Sequence, residues 1–159
     1  MSSEEHRFEG PDRGLADLGW DLHWSELFKR HAPAGTVPAR VAMQHRGSYI
    51  VFAGDDELPA EVLGRLRHMA AGPGDLPAVG DWVAIRAYAD GKGIIHAVLP
   101  RKSSFTRKSA GLETTEQVLA SNIDVVFVIA ALDVDLNLRR VERYLTMARG
   151  SGAVPVLVL

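Results

Sequence analysis

Arg101, Lys102, Arg107 and Lys108 stand around Phe105 in a Ser- and Thr-rich stretch, forming the densest basic cluster of the chain. Guanidinium and ammonium groups displace counterions from phosphates, and an aromatic face stacks on a base, so the pattern suits a polyanion; it equally suits a solvated linker. Further basic residues fall at outward-pointing or turn positions of the segment before it: Arg40, His45, Arg46, Arg65, Arg67, Arg86 and Lys92. With the cluster they outline a candidate RNA-binding surface of Arg40, His45, Arg46, Arg65, Arg67, Lys92, Arg101, Lys102, Phe105, Arg107 and Lys108.

Other chemistries find less support. The six histidines show no metal-ligand spacing and no cysteine joins them, so a metal site in this chain is not expected. Ser103, Ser104 and Ser109 lack a nucleophile elbow or a paired base. Gly91-Lys92-Gly93 has neither the spacing nor the hydroxyl residue of a phosphate loop. Asp81 and Trp82 read as turn and barrel-packing residues, and Asp133, Asp135 and Asn137 as turn or helix-capping residues.

The charge is uneven. Residues 1–26 hold two basic against seven acidic side chains, residues 27–110 twelve against seven, and residues 111–159 four against six. The basic middle permits nucleic-acid binding without demanding it. The longest apolar run, Val125–Leu132, has the length of a buried strand and not of a bilayer span. The start of the chain lacks the basic-then-apolar pattern of a signal peptide. With no cysteine, a cytoplasmic protein that does not engage a membrane is the default expectation.

The elements that must position these residues change their period along the chain. Residues 1–14 read as a flexible arm and 15–36 as a helical segment holding one short amphipathic helix within Leu15–His31, with Asp21 as a plausible cap and Pro33 as its stop. Over 37–99 the period is two. Strands are expected near 39–43, 49–53, 60–67, 81–87 and 92–99, with turns at His45–Ser48 and at Asp90-Gly91. The stretch 60–67 is read as a strand because Gly64 weakens a helix interior. Five short strands with an irregular connection between the third and fourth give the order of an OB-fold, a small closed barrel, although SH3-like barrels also have five. Residues 100–122 read as a basic linker. From 123 onward an apolar strand, a helix with the stripe Leu138, Val141, Leu145 and Ala148, and a second apolar strand Val154–Leu159 make a partial α/β unit. Two parallel strands and one helix leave apolar surface open, so the sequence reads as part of a larger protein.

Several motifs recur in a fixed order: Leu18-Gly-Trp20, Gln44-His-Arg-Gly-x-Tyr49, Gly64-Arg-Leu-Arg67, Pro77-Ala-Val-Gly-Asp-Trp82, Pro100-Arg-Lys-Ser-Ser-Phe-x-Arg107, Ala120-Ser-Asn-Ile-Asp124 and Asn137-Leu-Arg-Arg-x-Glu-Arg-Tyr-Leu145. Through them residues 15–159 resemble the circularly permuted, small-subunit-dependent GTPases of bacteria, the ribosome biogenesis GTPase A family. The resemblance implies an OB-fold that binds rRNA, followed by the start of a P-loop GTPase domain ahead of its guanine-specificity motif Asn-Lys-x-Asp. It further implies late maturation of the small (30S) ribosomal subunit as the process. GTP, Mg and Zn are implied for the full-length family, but none of their ligands maps onto a residue here. This chain alone is therefore expected to bind no cofactor and to be inactive as a GTPase. The alternatives are a self-sufficient OB-fold RNA-binding protein without nucleotide hydrolysis and, more remotely, another Rossmann-like nucleotide enzyme.

Overall fold

The computed structural model describes residues 13–108, 116–132 and 136–159. The expected arm lies outside them except for Arg13 and Gly14, which open the first helix, and Asp133 and Asp135 also lie outside. One compact unit runs to Pro100 and a second from Arg101 to Leu159.

In the first unit the single helix expected over 15–31 is two, α1 (Arg13–Asp17) and α2 (Leu22–His31). Gly19, at φ 90, turns the chain between them while the Leu18 and Trp20 amides donate back to the Leu15 carbonyl. A left-handed residue cannot continue a right-handed helix. Asp21 caps α2 as its side chain allows, accepting from the Trp24 amide at 3.0 Å.

Five strands follow: β1 (Val37–His45), β2 (Ser48–Ala53), β3 (Asp56–Val62), β4 (Trp82–Ala87) and β5 (Gly93–Val98). They close a barrel in the order β1-β2-β3-β5-β4, with β4 returning to β1. The β3–β5 ladder is parallel and the other ladders are antiparallel. This is the expected OB-type barrel, with one correction. The third strand is Asp56–Val62, and the second half of the stretch 60–67 belongs instead to a short helix α3 (Gly64–Met69). Gly64 sits at the first helical position, where its lack of a side chain costs the helix little, so the argument against a helix fails.

Alternate residues of each strand fill the barrel, with Val41, Val51, Val83, Ile85 and Ile95 fully buried. A second cluster lies outside it. Trp82, 1% exposed, packs with Leu15, Trp24 and Leu99, and its ring centroid lies 4.7 Å from that of Trp20 and 6.1 Å from that of Trp24. Trp82 is thus a packing residue, but it joins α1 and α2 to the barrel wall instead of filling the interior. Buried Asp81 accepts from the Ala78 amide at 2.8 Å and holds the turn that delivers β4.

In the second unit the stretch read as a linker holds a hairpin, β6 (Ser104–Lys108) paired antiparallel with β7 (Glu116–Ser121). Asn122, left-handed at φ 52, ties its base: the side-chain oxygen accepts from the Lys102 amide at 2.8 Å and the Asn122 amide donates to Ser103 at 2.9 Å. Then β8 (Val125–Ile129), α4 (Leu138–Gly150, capped by Asn137) and β9 (Val154–Val158) form the expected unit with parallel strands. Val125, Phe127 and Ile129 stand opposite Val154, Val156 and Val158 in register, and all six are exposed.

Candidate nucleic-acid interface

The outer surface of β2 and β3, where OB-type barrels commonly take single strands, repels a polyanion here. Its outward residues on β3 are Glu57, Pro59 and Glu61, opposite Phe52, Ile50 and Ser48. Asp55 and Asp56 add two carboxylates at the β2–β3 turn.

Positive charge instead gathers at the end of the barrel formed by the β1–β2 turn and α3. His45 and Ser48 close the turn, and the Ser48 hydroxyl donates to the His45 carbonyl at 3.0 Å. Between them Arg46 and Gly47 are both left-handed, at φ 28 and 95. Arg67 of α3 crosses to this turn, its Nη2 donating to the Gly47 carbonyl at 3.2 Å. His45, Arg46 and Arg67 are all exposed, and His45 Nε2 lies 2.8 Å from the Met43 sulfur. Beneath them is buried Tyr49. Burial pushes its hydroxyl pKa up, against the field of Arg67 and a hydrogen bond with Gln44, which favour the charged form, while Asp81 adds to the rise.

Three other candidates are not part of this group. Arg40 is half-buried and committed to internal structure: Nε donates to the Gly80 carbonyl at 3.3 Å, Nη1 to the Leu18 carbonyl, and the guanidinium carbon lies 5.5 Å from the Trp82 ring centroid. Arg65 is exposed on α3 but, two residues before Arg67, is turned about 200° from it around the helix. Lys92 lies in the β4–β5 turn, paired with Asp90 at 3.8 Å. That turn follows Ala87, beyond the Val37 end of the β1–β4 ladder, whereas Arg46 lies beyond the other end of β1.

In the second unit Lys102 and Arg107 are exposed and Arg101 is half-buried. The side chain of Lys108 lies outside the described residues. Half-buried Phe105 lines an apolar groove of about 280 Å³ with Val126, Phe127, Val128, Ile129 and Tyr144. A place in an apolar groove beside β8 and α4 is the surrounding of a packing residue. Sequence reasoning missed the Arg67–Gly47 contact because it read α3 as a strand. It also passed over Asn122, whose signal was its residue type: Asn after an apolar run tolerates the left-handed state that a turn requires.

Residues 98–159 match the RsgA GTPase family. The chain is 47% identical over 154 residues to the small ribosomal subunit biogenesis GTPase RsgA of Opitutus terrae, covering 91% of this chain and 42% of that protein. The chain belongs to the RsgA GTPase family. The protein of the same name from Syntrophotalea carbinolica is 40% identical over 152 residues, again with 91% and 42% covered. This RsgA-family chain thus spans about two fifths of the length of the relatives it matches. Two crystal structures share its fold. One is YloQ, described as a circularly permuted GTPase (TM-score 0.52, 16% identity, 78% of this chain and 40% of that one). The other is YjeQ from Thermotoga maritima (TM-score 0.55, 19% identity, 77% and 40%).

Among the described residues no three His, Cys, Asp or Glu side chains come together as a metal site, and no helix is long and apolar enough to cross a membrane.

Proposed function

We propose that this chain supplies the RNA-binding part of an RsgA-type GTPase acting in late maturation of the small (30S) ribosomal subunit, in the cytoplasm. The barrel docks on rRNA through the end built by the β1–β2 turn and α3, and Lys102, just before β6, and Arg107 on it add contacts of their own. The observation that supports this most is the placement of charge: exposed cations converge on that end while Glu57 and Glu61 occupy the β2–β3 face. Phosphates are attracted to the first surface and repelled from the second. GTP and Mg belong to the activity proposed for the whole protein, and Zn to the family resemblance. The sequence lacks a phosphate loop and the described residues offer no ligand cluster, so the groups present do not fit either metal or the nucleotide and no catalytic step runs through them.

The test is binding of the chain to small ribosomal subunits over a range of salt. Each phosphate contact contributes roughly 0.7–0.9 to the slope of log affinity against log salt. Arg46→Ala is expected to remove one such increment. Changing Lys102 and Arg107, the two exposed cations, together to Ala should remove about 1.5. Unchanged slopes in both variants, with the fold intact by circular dichroism, reject the rRNA reading.

A further inference from the structure

The β1–β2 turn holds an arginine in a backbone state that its side chain disfavours. Two-residue hairpin loops with both central residues left-handed favour Asn, Asp or Gly at the first of them, because a Cβ there crowds the neighbouring carbonyl. Gly47 meets that demand at φ 95; Arg46, at φ 28, does not. Strain of this kind persists where surrounding contacts over-determine it and where the side chain is needed. The over-determining contact comes from twenty residues away in sequence: Arg67 Nη2 donates to the Gly47 carbonyl at 3.2 Å. The guanidinium is so close to the turn that a Cβ on Gly47 would lie 3.4 Å from Nη2. Its charge also acts on Tyr49, the buried residue next to the closing pair, so the group sits over the root of the hairpin. Two separate sequence motifs, Gln44–Tyr49 and Gly64–Arg67, are thereby joined in one constellation.

We propose that Arg67 is a positioning residue: it holds the left-handed turn that presents Arg46 to an RNA phosphate. Arg46 keeps its strained place for the charge it carries there. This rests on the rRNA reading above.

The experiment measures binding to small ribosomal subunits across a salt series for Arg46→Ala, Arg46→Asn, Arg67→Lys, Arg67→Gln and the double variants with Arg46→Ala, together with thermal midpoints. Arg46→Asn is expected to raise the midpoint by a few degrees, since Asn tolerates the left-handed state, while weakening binding and lowering the salt slope by roughly 0.7–0.9. Arg67→Lys keeps a charge but loses the planar fork, so it should weaken binding several-fold with the Arg46 charge present and scarcely at all in the Arg46→Ala background. Arg67→Gln should behave as Lys does. If Arg67 contacts a phosphate itself, Arg67→Lys preserves the slope and binding, Arg67→Gln lowers both, and the losses multiply with Arg46→Ala; that result overturns the positioning role and leaves the rRNA reading standing. If Arg46 variants bind with wild-type affinity and slope, the rRNA reading of this end fails, and the positioning role with it. An Arg46→Asn midpoint at or below wild type refutes the strain argument alone.

Discussion

Arg40 is the basic residue whose sequence position and structural position disagree most, and the disagreement has a measurable size. The side chain makes two hydrogen bonds to backbone carbonyls, Gly80 on the loop before β4 and Leu18 after α1, and its guanidinium lies 5.5 Å from the Trp82 ring. A hydrogen bond with a charged donor contributes roughly 1.5–3 kcal/mol, and a cation–π contact at a partly exposed site about 0.5–1. Because Arg40 is half-buried, the low end of these ranges applies, and Arg40→Ala should cost about 3.5 kcal/mol. With a urea m-value of about 2 kcal/mol/M, that shifts the midpoint down by roughly 1.8 M. Arg40→Lys, a point charge without the fork, should recover part of the loss. The assay is urea unfolding followed by tryptophan fluorescence, which is well placed because Trp20, Trp24 and Trp82 are the three tryptophans of the chain and pack together. The salt dependence of small-subunit binding should be untouched. An Arg40→Ala variant that unfolds at the wild-type midpoint but loses roughly 0.7–0.9 from its salt slope would falsify the reasoning, placing the guanidinium on RNA instead of on the helices.

Trp82→Ala should destabilise the first unit by roughly 3–5 kcal/mol, since a fully buried indole is lost and the partner rings of Trp20 and Trp24 are left with a void; a change in the urea midpoint equivalent to less than about 1 kcal/mol would show that the second cluster carries little of the stability. His96 gives a pH dependence. Its Nε2 is shielded from solvent without a hydrogen-bond partner among the described residues, and burial, then the nearby Arg86, lowers its pKa. With the folded pKa below the unfolded value of about 6.5, the unfolded chain binds more protons in between, so stability present above about pH 6.5 is lost as pH falls through the folded value. Urea midpoints from pH 8 to 5 should fall for the wild type and fall less for His96→Phe; parallel curves would remove His96 as the cause.

Much of the barrel could be read from alternation, because β1, β2, β4 and β5 carry apolar residues on one face and have turn residues between them. β3 was displaced for a physical reason. Asp56, Glu57, Pro59 and Glu61 are poor strand formers by composition, and tertiary pairing with β2 overrides that preference. The strands β6 and β7 were hidden because Val118, Leu119 and Ala120 run consecutively instead of alternating and β6 carries Phe105 as its one apolar residue, leaving no period of two to detect. The motif resemblance named the family, and the comparisons agree with it, yet it gave no guidance about which cations face solvent. Arg40 and Arg46 are both arginines on one barrel wall, and only three-dimensional packing shows that one is a latch and the other is free of such ties in the described structure. That distinction depends on Leu18, Gly80 and Arg67, none of them near either arginine in sequence.

The placement of Trp82 has a consequence for the order in which the chain becomes folded as it is made. Leu15 and Trp24 are made well before the partners they pack against, Trp82 at the start of β4 and Leu99 just after β5, which follow only after three strands and α3 have been synthesised. Those partners are not in place until β4 has paired with β1 and β5 with β3, two ladders between stretches distant in sequence that close slowly because loop entropy must be lost first. The helices made first are therefore the last to dock, and until then Leu15, Trp20, Trp24 and Phe28 present an apolar, aromatic surface to whatever is nearby. An undocked segment of this kind tends to associate with other apolar surfaces, and the seven acidic side chains among residues 1–26 oppose that by charge repulsion.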